Sequence, residues 1–124
     1  MGFCTAISCM DGRIQLPVIQ YLQQRFQVPY VDTITEPGPN KILADQIPSE
    51  QVHSILQRLH LSVHKHQSVG IAIVGHHDCA GNPSDKKEQH RHLRRAVQWI
   101  RRHYPGLEVI ALWVDEQWSV QELE

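Results

Sequence analysis

The sequence predicts an α/β fold: an open, mainly parallel β-sheet of about four strands with helices on its faces. Two observations carry this. Short β-favouring runs alternate with segments whose apolar residues recur at helical spacing, in the order β-α-β-α-β-α-β. One run, Val-Gly-Ile-Ala-Ile-Val-Gly at residues 69–75, is apolar almost throughout, as in a strand covered on both faces of a parallel sheet.

Residues 3–8 form the first strand, which stops at the polar loop Cys9-Met10-Asp11-Gly12. A helix follows over residues 14–26, with Leu16, Val18, Ile19, Leu22 and Phe26 expected on its buried face and Pro17 early enough to be tolerated. Residues 29–35 carry Tyr, Val, Ile and Thr, the residue types of a second strand. The turn formers Glu36-Pro37-Gly38-Pro39-Asn40 are expected to make a rigid loop after it. Beyond Pro48, Ser49 is expected to cap a helix whose inner face reads Val52, Ile55, Leu56, Leu59 and Val63. The third strand leads directly into His76. Leu93, Ala96, Val97 and Ile100 share one face of a helix over residues 85–103, and residues 107–114, with Trp113, form the last strand. The tail, with Trp118, Val120 and Leu123, is expected to pack on the sheet edge or on a partner chain.

At 124 residues the chain suits a single domain over 1–124. Hydrophobic residues at 41% and charged residues at 20% are those of a globular protein. Twelve Lys+Arg against 13 Asp+Glu leave no global field to attract nucleic acid or anionic membranes. No apolar stretch reaches a bilayer span, and the N-terminus runs into a strand without a charged start or cleavage site, so a cytoplasmic protein is expected. Three cysteines are an odd number for a disulfide scaffold and suit a metal site or a reactive thiol better.

Ligands in open parallel sheets bind beyond the carboxyl ends of the strands, which directs attention to residues 9–13, 36–41 and 76–82. Zinc favours thiolate and imidazole in tetrahedral geometry, and a catalytic zinc keeps one position open. His76 and Cys79 stand three residues apart, a spacing that a turn folds around one ion. Cys9, ending the first strand, completes the set when the first and third strands are neighbours. Cys4 lies five residues away along an extended strand and on its opposite side, so it is expected in the core. Asp11 and Arg13 alternate with Cys9, and an arginine beside the aspartate keeps that carboxylate ionised and oriented to accept a proton from zinc-bound water. A nucleophilic Cys9 activated by Arg13 is the alternative, which metal analysis separates.

His60, His64 and His66 share a helix face without a supporting thiol or carboxylate and read as solvated; His90 and His92 read the same way. His77 reads as an exposed loop histidine, with proton relay as its second role. Asp78 caps the turn or supports a ligand. The arginines at 91, 94, 95, 101 and 102 read as a solvated helix face or a dimer contact, since no nucleic-acid motif accompanies them.

Cys9-Met10-Asp11-Gly12-Arg13, followed by Gly75-His76-His77-Asp78-Cys79 at the end of a later strand, resembles the β-class carbonic anhydrases, whose pattern is Cys-x-Asp-x-Arg with a downstream His-x-x-Cys. The resemblance implies a zinc lyase hydrating carbon dioxide to bicarbonate, with Cys9, His76 and Cys79 as metal ligands and Asp11 and Arg13 as the catalytic dyad. It implies a homodimer or higher homo-oligomer, and an aspartate that either aims zinc-bound hydroxide or ligates the metal itself. The chain departs from the pattern at Gly12, at Ala80 before Gly81, and in the loop at 36–40; it also starts almost at the first strand, so the N-terminal helical arm of larger members is not expected. These departures bear on the substrate, with carbonyl sulfide or carbon disulfide hydrolysis, or a non-catalytic zinc-stabilised binding role, as alternatives.

Overall fold

Over residues 2–124, which the computed structural model describes, the chain runs β1 (Phe3–Cys9), α1 (Gly12–Phe26), β2 (Tyr30–Glu36), α2 (Pro39–Asp45), α3 (Ser49–Lys65), β3 (Gly70–His76), α4 (Lys86–His103), β4 (Glu108–Val114) and β5 (Val120–Leu123). The strand order is β2-β1-β3-β4-β5, with the first four parallel and β5 antiparallel to β4. The α/β architecture read from the alternation is therefore present, with one strand more than expected.

Strand parity divides the core. Ile7, Ile71, Ile73, Val109 and Ala111 group with Ile42, Leu43, Ile55, Leu59, Leu93 and Ile100 from α2, α3 and α4. Cys4, Ala6, Ala72, Val74, Ile110 and Leu112 group with Ile14, Val18 and Leu22 from α1. β3 is buried along its whole length, which accounts for its unbroken apolar run. Each fully buried Leu or Ile contributes about 1.5–3 kcal/mol relative to exposure.

Local chemistry explains where the elements differ from the sequence reading. The inner face of α1 is Ile14, Val18 and Leu22, one residue every four, whereas Leu16 is 63% exposed because two positions along a helix turn the side chain far around the axis. The loop expected at 36–40 closes after three residues: Gly38 takes the left-handed conformation (φ 59°) and Pro39 occupies the first turn of α2. Proline is favoured there, since the N–H it lacks has no partner in a helix and its φ is already helical. Ser49 begins α3 instead of capping it, and its hydroxyl bonds Glu50 at 3.2 Å. Asp85 caps α4 by accepting the Glu88 N–H at 2.9 Å.

The tail does pack on the sheet edge. Asp115 Oδ1 accepts the N–H groups of Gln117 and Ser119 at 2.9 and 3.0 Å, reversing the chain so that Val120 pairs with Val114. Arg25 of α1 then binds Glu122 of β5 and Glu108 of β4. Among the described residues no helix is long and apolar enough to cross a membrane.

In this strand order the connection after β1 runs to β2 on one side and the connection after β3 runs to β4 on the other, so a crevice opens between the carboxyl ends of β1 and β3. Cys9 pairs with Glu36, and Ile7 with Ile73, which sets the loops after β1, β2 and β3 side by side.

Candidate metal centre

Cys9 ends β1, His76 ends β3, and Cys79 lies on the turn that follows. Their potential ligand atoms all lie within 4.8 Å of one another, the one such group of three among the described residues. All three residues are buried, at 4%, 1% and 5% exposure. The sulfurs of Cys9 and Cys79 are 3.8 Å apart. Tetrahedral zinc with Zn–S bonds of ~2.3 Å places two sulfur ligands about 3.8 Å apart, so the pair stands at the separation the ion requires.

His76 supplies the independent test of fit. Its Nδ1–H donates to the His77 carbonyl at 2.8 Å, which fixes the tautomer and leaves a lone pair on Nε2. That Nε2 is buried and has no hydrogen-bond partner. A buried imidazole nitrogen without a partner costs desolvation energy unless something occupies its lone pair, and a cation between two thiolates is suited to do so. The residues present fit zinc.

Backbone donors favour thiolates here. Cys9 Sγ receives the N–H groups of Gly38 and Asp11, and Cys79 Sγ those of Asn82 and Gly81. The hydrogen bond from Cys79 holds the Cys9 thiol well below its ordinary value, and the same contact together with burial pushes Cys79 well above. The pair gives up its first proton easily and holds the second one.

Cys4 stays outside the ligand group. It is fully buried, and burial pushes its thiol up to about 11. Cys4 and Cys9 do share the apolar cluster beneath α1, so distance along the strand, more than opposite facing, separates Cys4 from the site.

Asp11 is the N-cap of α1 and the partner of Arg13 at once. Its Oδ1 accepts the Arg13 backbone N–H at 2.9 Å and Arg13 Nε at 3.1 Å, and its Oδ2 accepts Arg13 Nη2 at 2.7 Å. These bonds from Arg13, at a helix N-terminus that favours negative charge, hold the carboxyl down to about 2. Arg13 is fixed by two further groups. Its Nη1 and Nη2 donate to Asp78 Oδ2 and to the Asp78 carbonyl, at 3.2 and 3.1 Å. The Trp118 ring lies against its guanidinium, 4.4 Å from Cζ to the ring centroid. Gln15 Nε2 donates to the carbonyls of Cys9 and Asp11 at 2.8 and 2.7 Å, which ties down the turn between them.

The structure thus brings together all five residues singled out in the sequence and adds Asp78, Trp118 and Gln15. His77 is exposed, as expected. The His60 and His64 rings lie tilted against each other, 4.0 Å between centroids, on an exposed face, and His66 bonds Asp32 at 2.7 Å. His92 departs from the solvated reading: it is 4% exposed and its Nδ1 meets Asn82 Nδ2 at 3.0 Å. It lies on the same face of α4 as Ala96, a stripe that the helical period makes visible.

Gly38 and Gly81 let the loops meet, each leaving no room for a Cβ against the other's loop. A Cβ on Gly81 would stand 2.4 Å from the Pro37 carbonyl carbon and 2.7 Å from the Gly38 nitrogen. Gly81→Ala is therefore expected to force the loops apart at a cost of about 1–3 kcal/mol, seen as a lower Tm by circular dichroism. Gly106→Ala, where a Cβ meets nothing within 4 Å, is the control and should leave Tm nearly unchanged.

The fold is similar to that of solved β-carbonic anhydrases. The carbonic anhydrase from Glaciozyma antarctica matches 95% of this chain and 80% of its own, with a TM-score of 0.60 and 12% identity. A tetrameric β-carbonic anhydrase from Sordaria macrospora matches 97% and 79% of the two chains (TM-score 0.57, 17% identity). The β-carbonic anhydrase of Aspergillus fumigatus matches 98% and 74% (TM-score 0.57, 18% identity). No curated protein sequence matches the chain. A family model described as "Putative carbonic anhydrase" matches residues 1–124, and the chain accordingly belongs to the carbonic anhydrase family.

Proposed function

We propose that this chain is a single domain, residues 1–124, that holds one zinc ion through Cys9, His76 and Cys79 and reversibly hydrates carbon dioxide to bicarbonate. The observation that carries the reading is the bare, buried Nε2 of His76 grouped with two sulfurs 3.8 Å apart. When bound, zinc supplies the Lewis acidity that brings the pKa of water at its open position to near ~7, giving a nucleophile at neutral pH.

The chain's own residues do the rest. Asp11 lies outside the ligand group and turns both oxygens to Arg13, which supports a fourth position left to water or substrate. Oδ1 accepts two hydrogen bonds and Oδ2 one, so Oδ2 keeps a further lone pair with which Asp11 accepts a hydrogen bond from the attacking water and orients it. Arg13, held by Asp78 and Trp118, keeps that carboxylate charged and pointed. Cys9, Cys79 and His76, fixed by backbone donors and by the His77 carbonyl, are poised for the ion before it arrives.

The substrate is a small linear electrophile, and association into a homodimer or larger homo-oligomer is part of the proposal. Met10 and Leu16, 64% and 63% exposed on either side of the dyad, offer apolar surface for such contact.

The test is metal analysis followed by stopped-flow hydration of carbon dioxide. About one zinc per chain and turnover above the buffer rate are expected. Zinc-loaded protein without turnover would overturn the hydration assignment, and sulfide release from carbonyl sulfide in its place would transfer the same site to that substrate.

A further inference from the structure

Beneath the metal loop lies a set of buried side-chain amides that the chemistry above does not use. Gln89 of α4 is 1% exposed, Asn40 of α2 is 1%, and Asn82 is fully buried. Gln89 Nε2 donates to the His76 carbonyl at 2.9 Å and to the Asn82 carbonyl at 3.3 Å, with the Ser84 carbonyl at 3.4 Å. Its Oε1 accepts the His76 N–H at 3.3 Å and Asn40 Nδ2 at 3.1 Å. Asn82 Nδ2 reaches Asn40 Oδ1 at 3.2 Å and His92 Nδ1 at 3.0 Å. One side chain therefore grips the backbone at both ends of the segment 76–82 that carries His76 and Cys79, and through Asn40 it joins that segment to the loop after β2.

Gly75 makes room for this arrangement. A Cβ there would stand 2.8 Å from Asn40 Nδ2 and 3.0 Å from Gln89 Oε1. Only a carboxamide meets the demand, because it presents a donor and an acceptor from one planar end group; an ionised carboxylate offers acceptors alone and an apolar chain offers neither.

Resting on the metal reading above, we infer that Gln89 is a positioning residue. It sets the spacing of the His76–Cys79 turn, so the two ligands stand at metal-binding separation before the ion binds. The metal then does not have to close the turn, and affinity follows from that preorganisation. Asn40 shares the task by holding Gln89 Oε1 and the start of α2 together.

The test uses Co2+ as the probe on metal-stripped full chain, read by thiolate-to-cobalt charge-transfer absorption and the d–d bands, with Zn2+ affinity measured by chelator competition. Gln89→Glu keeps the shape but turns the donor contacts to three carbonyls into facing oxygens. It is expected to bind both ions about 10–100-fold more weakly, with shifted d–d bands, while far-ultraviolet circular dichroism shows the fold retained. Asn40→Ala, which removes one of the contacts to Oε1, is expected to weaken binding less. Gln98→Glu, at an exposed position of the same helix, is the control and should behave as wild type.

A folded Gln89→Glu with wild-type cobalt affinity and spectrum overturns the inference. If that variant does not fold, Asn40→Ala decides in the same way. Wild-type protein showing no charge-transfer band sinks the metal reading and this inference with it, whereas a normal wild-type band with unaltered variants sinks this inference alone.

Discussion

Replacing Cys9 or Cys79 by serine, or His76 by alanine, is expected to abolish stoichiometric zinc binding and to bring carbon dioxide hydration down to the buffer rate. Each residue contributes one of three ligand atoms grouped within 4.8 Å, and no carboxylate stands in that group to take over a lost position. Loss of one sulfur also leaves the other thiol buried without the charge balance that a bound cation would provide. Stability should follow the metal. A ligand bound only by the folded chain adds about 2.7 kcal/mol at a hundred times its dissociation constant, so the wild-type Tm should rise with added zinc and fall with a chelator. The three variants should show neither response. Cys4→Ser is the discriminating control: its thiol is buried apart from the site, so the variant should lose about 1–3 kcal/mol through an unsatisfied buried hydroxyl yet retain its zinc. Zinc content at wild-type level in Cys9→Ser, or its loss in Cys4→Ser, would overturn the ligand set.

The candidate ligand group was legible because its chemistry follows strand ends. Cys9, His76 and Cys79 sit where apolar runs stop, and an alternating α/β chain brings such ends to one edge. What escaped the sequence is polar and buried. Gln89 stands four residues before Leu93 on the inner stripe of α4, so the helical period extended by one turn points to it. An amide at such a position nevertheless reads as surface until the backbone groups it satisfies are known, and those belong to a loop 7 to 13 residues distant. His92 reads as solvated for the same reason, since its partner Asn82 lies 10 residues away in the loop before α4. The short helix α2 was hidden by composition: Pro37, Gly38 and Pro39 are turn formers, and Gly38 followed by Pro39 is equally a helix start. β5 has four residues and only two apolar ones, Val120 and Leu123, too few for a strand signal; Asp115 and Arg25 place it.

The dyad yields the second large effect. Asp11→Asn is expected to lower the hydration rate by about 10²–10⁴-fold while the zinc content stays at that of the wild type. Asparagine preserves the size of the side chain, and its carbonyl oxygen can still take the place of Oδ1 in accepting the Arg13 backbone N–H and Nε. Its amide nitrogen then faces Arg13 Nη2, donor against donor, where the carboxylate made a 2.7 Å bond. With a donor in the place of Oδ2, the residue can no longer accept a hydrogen bond from the attacking water there. Since Arg13 holds the wild-type carboxyl down to about 2, Asp11 stays ionised throughout the neutral range, and no acid limb of the wild-type rate above about pH 4 should belong to it. The sign for stability follows from the same shift. A folded-state pKa below the ordinary carboxylate value of about 3.9 contributes stability above that pH and loses it as the pH falls through about 2. Asp11→Asn should therefore flatten that part of the acid unfolding curve. Arg13→Lys replaces a fork that serves Asp11 and Asp78 together and stacks on Trp118 by a single ammonium, and should lower the rate with zinc retained. Wild-type turnover in Asp11→Asn would remove the aspartate from the chemistry and leave it only as the cap of α1.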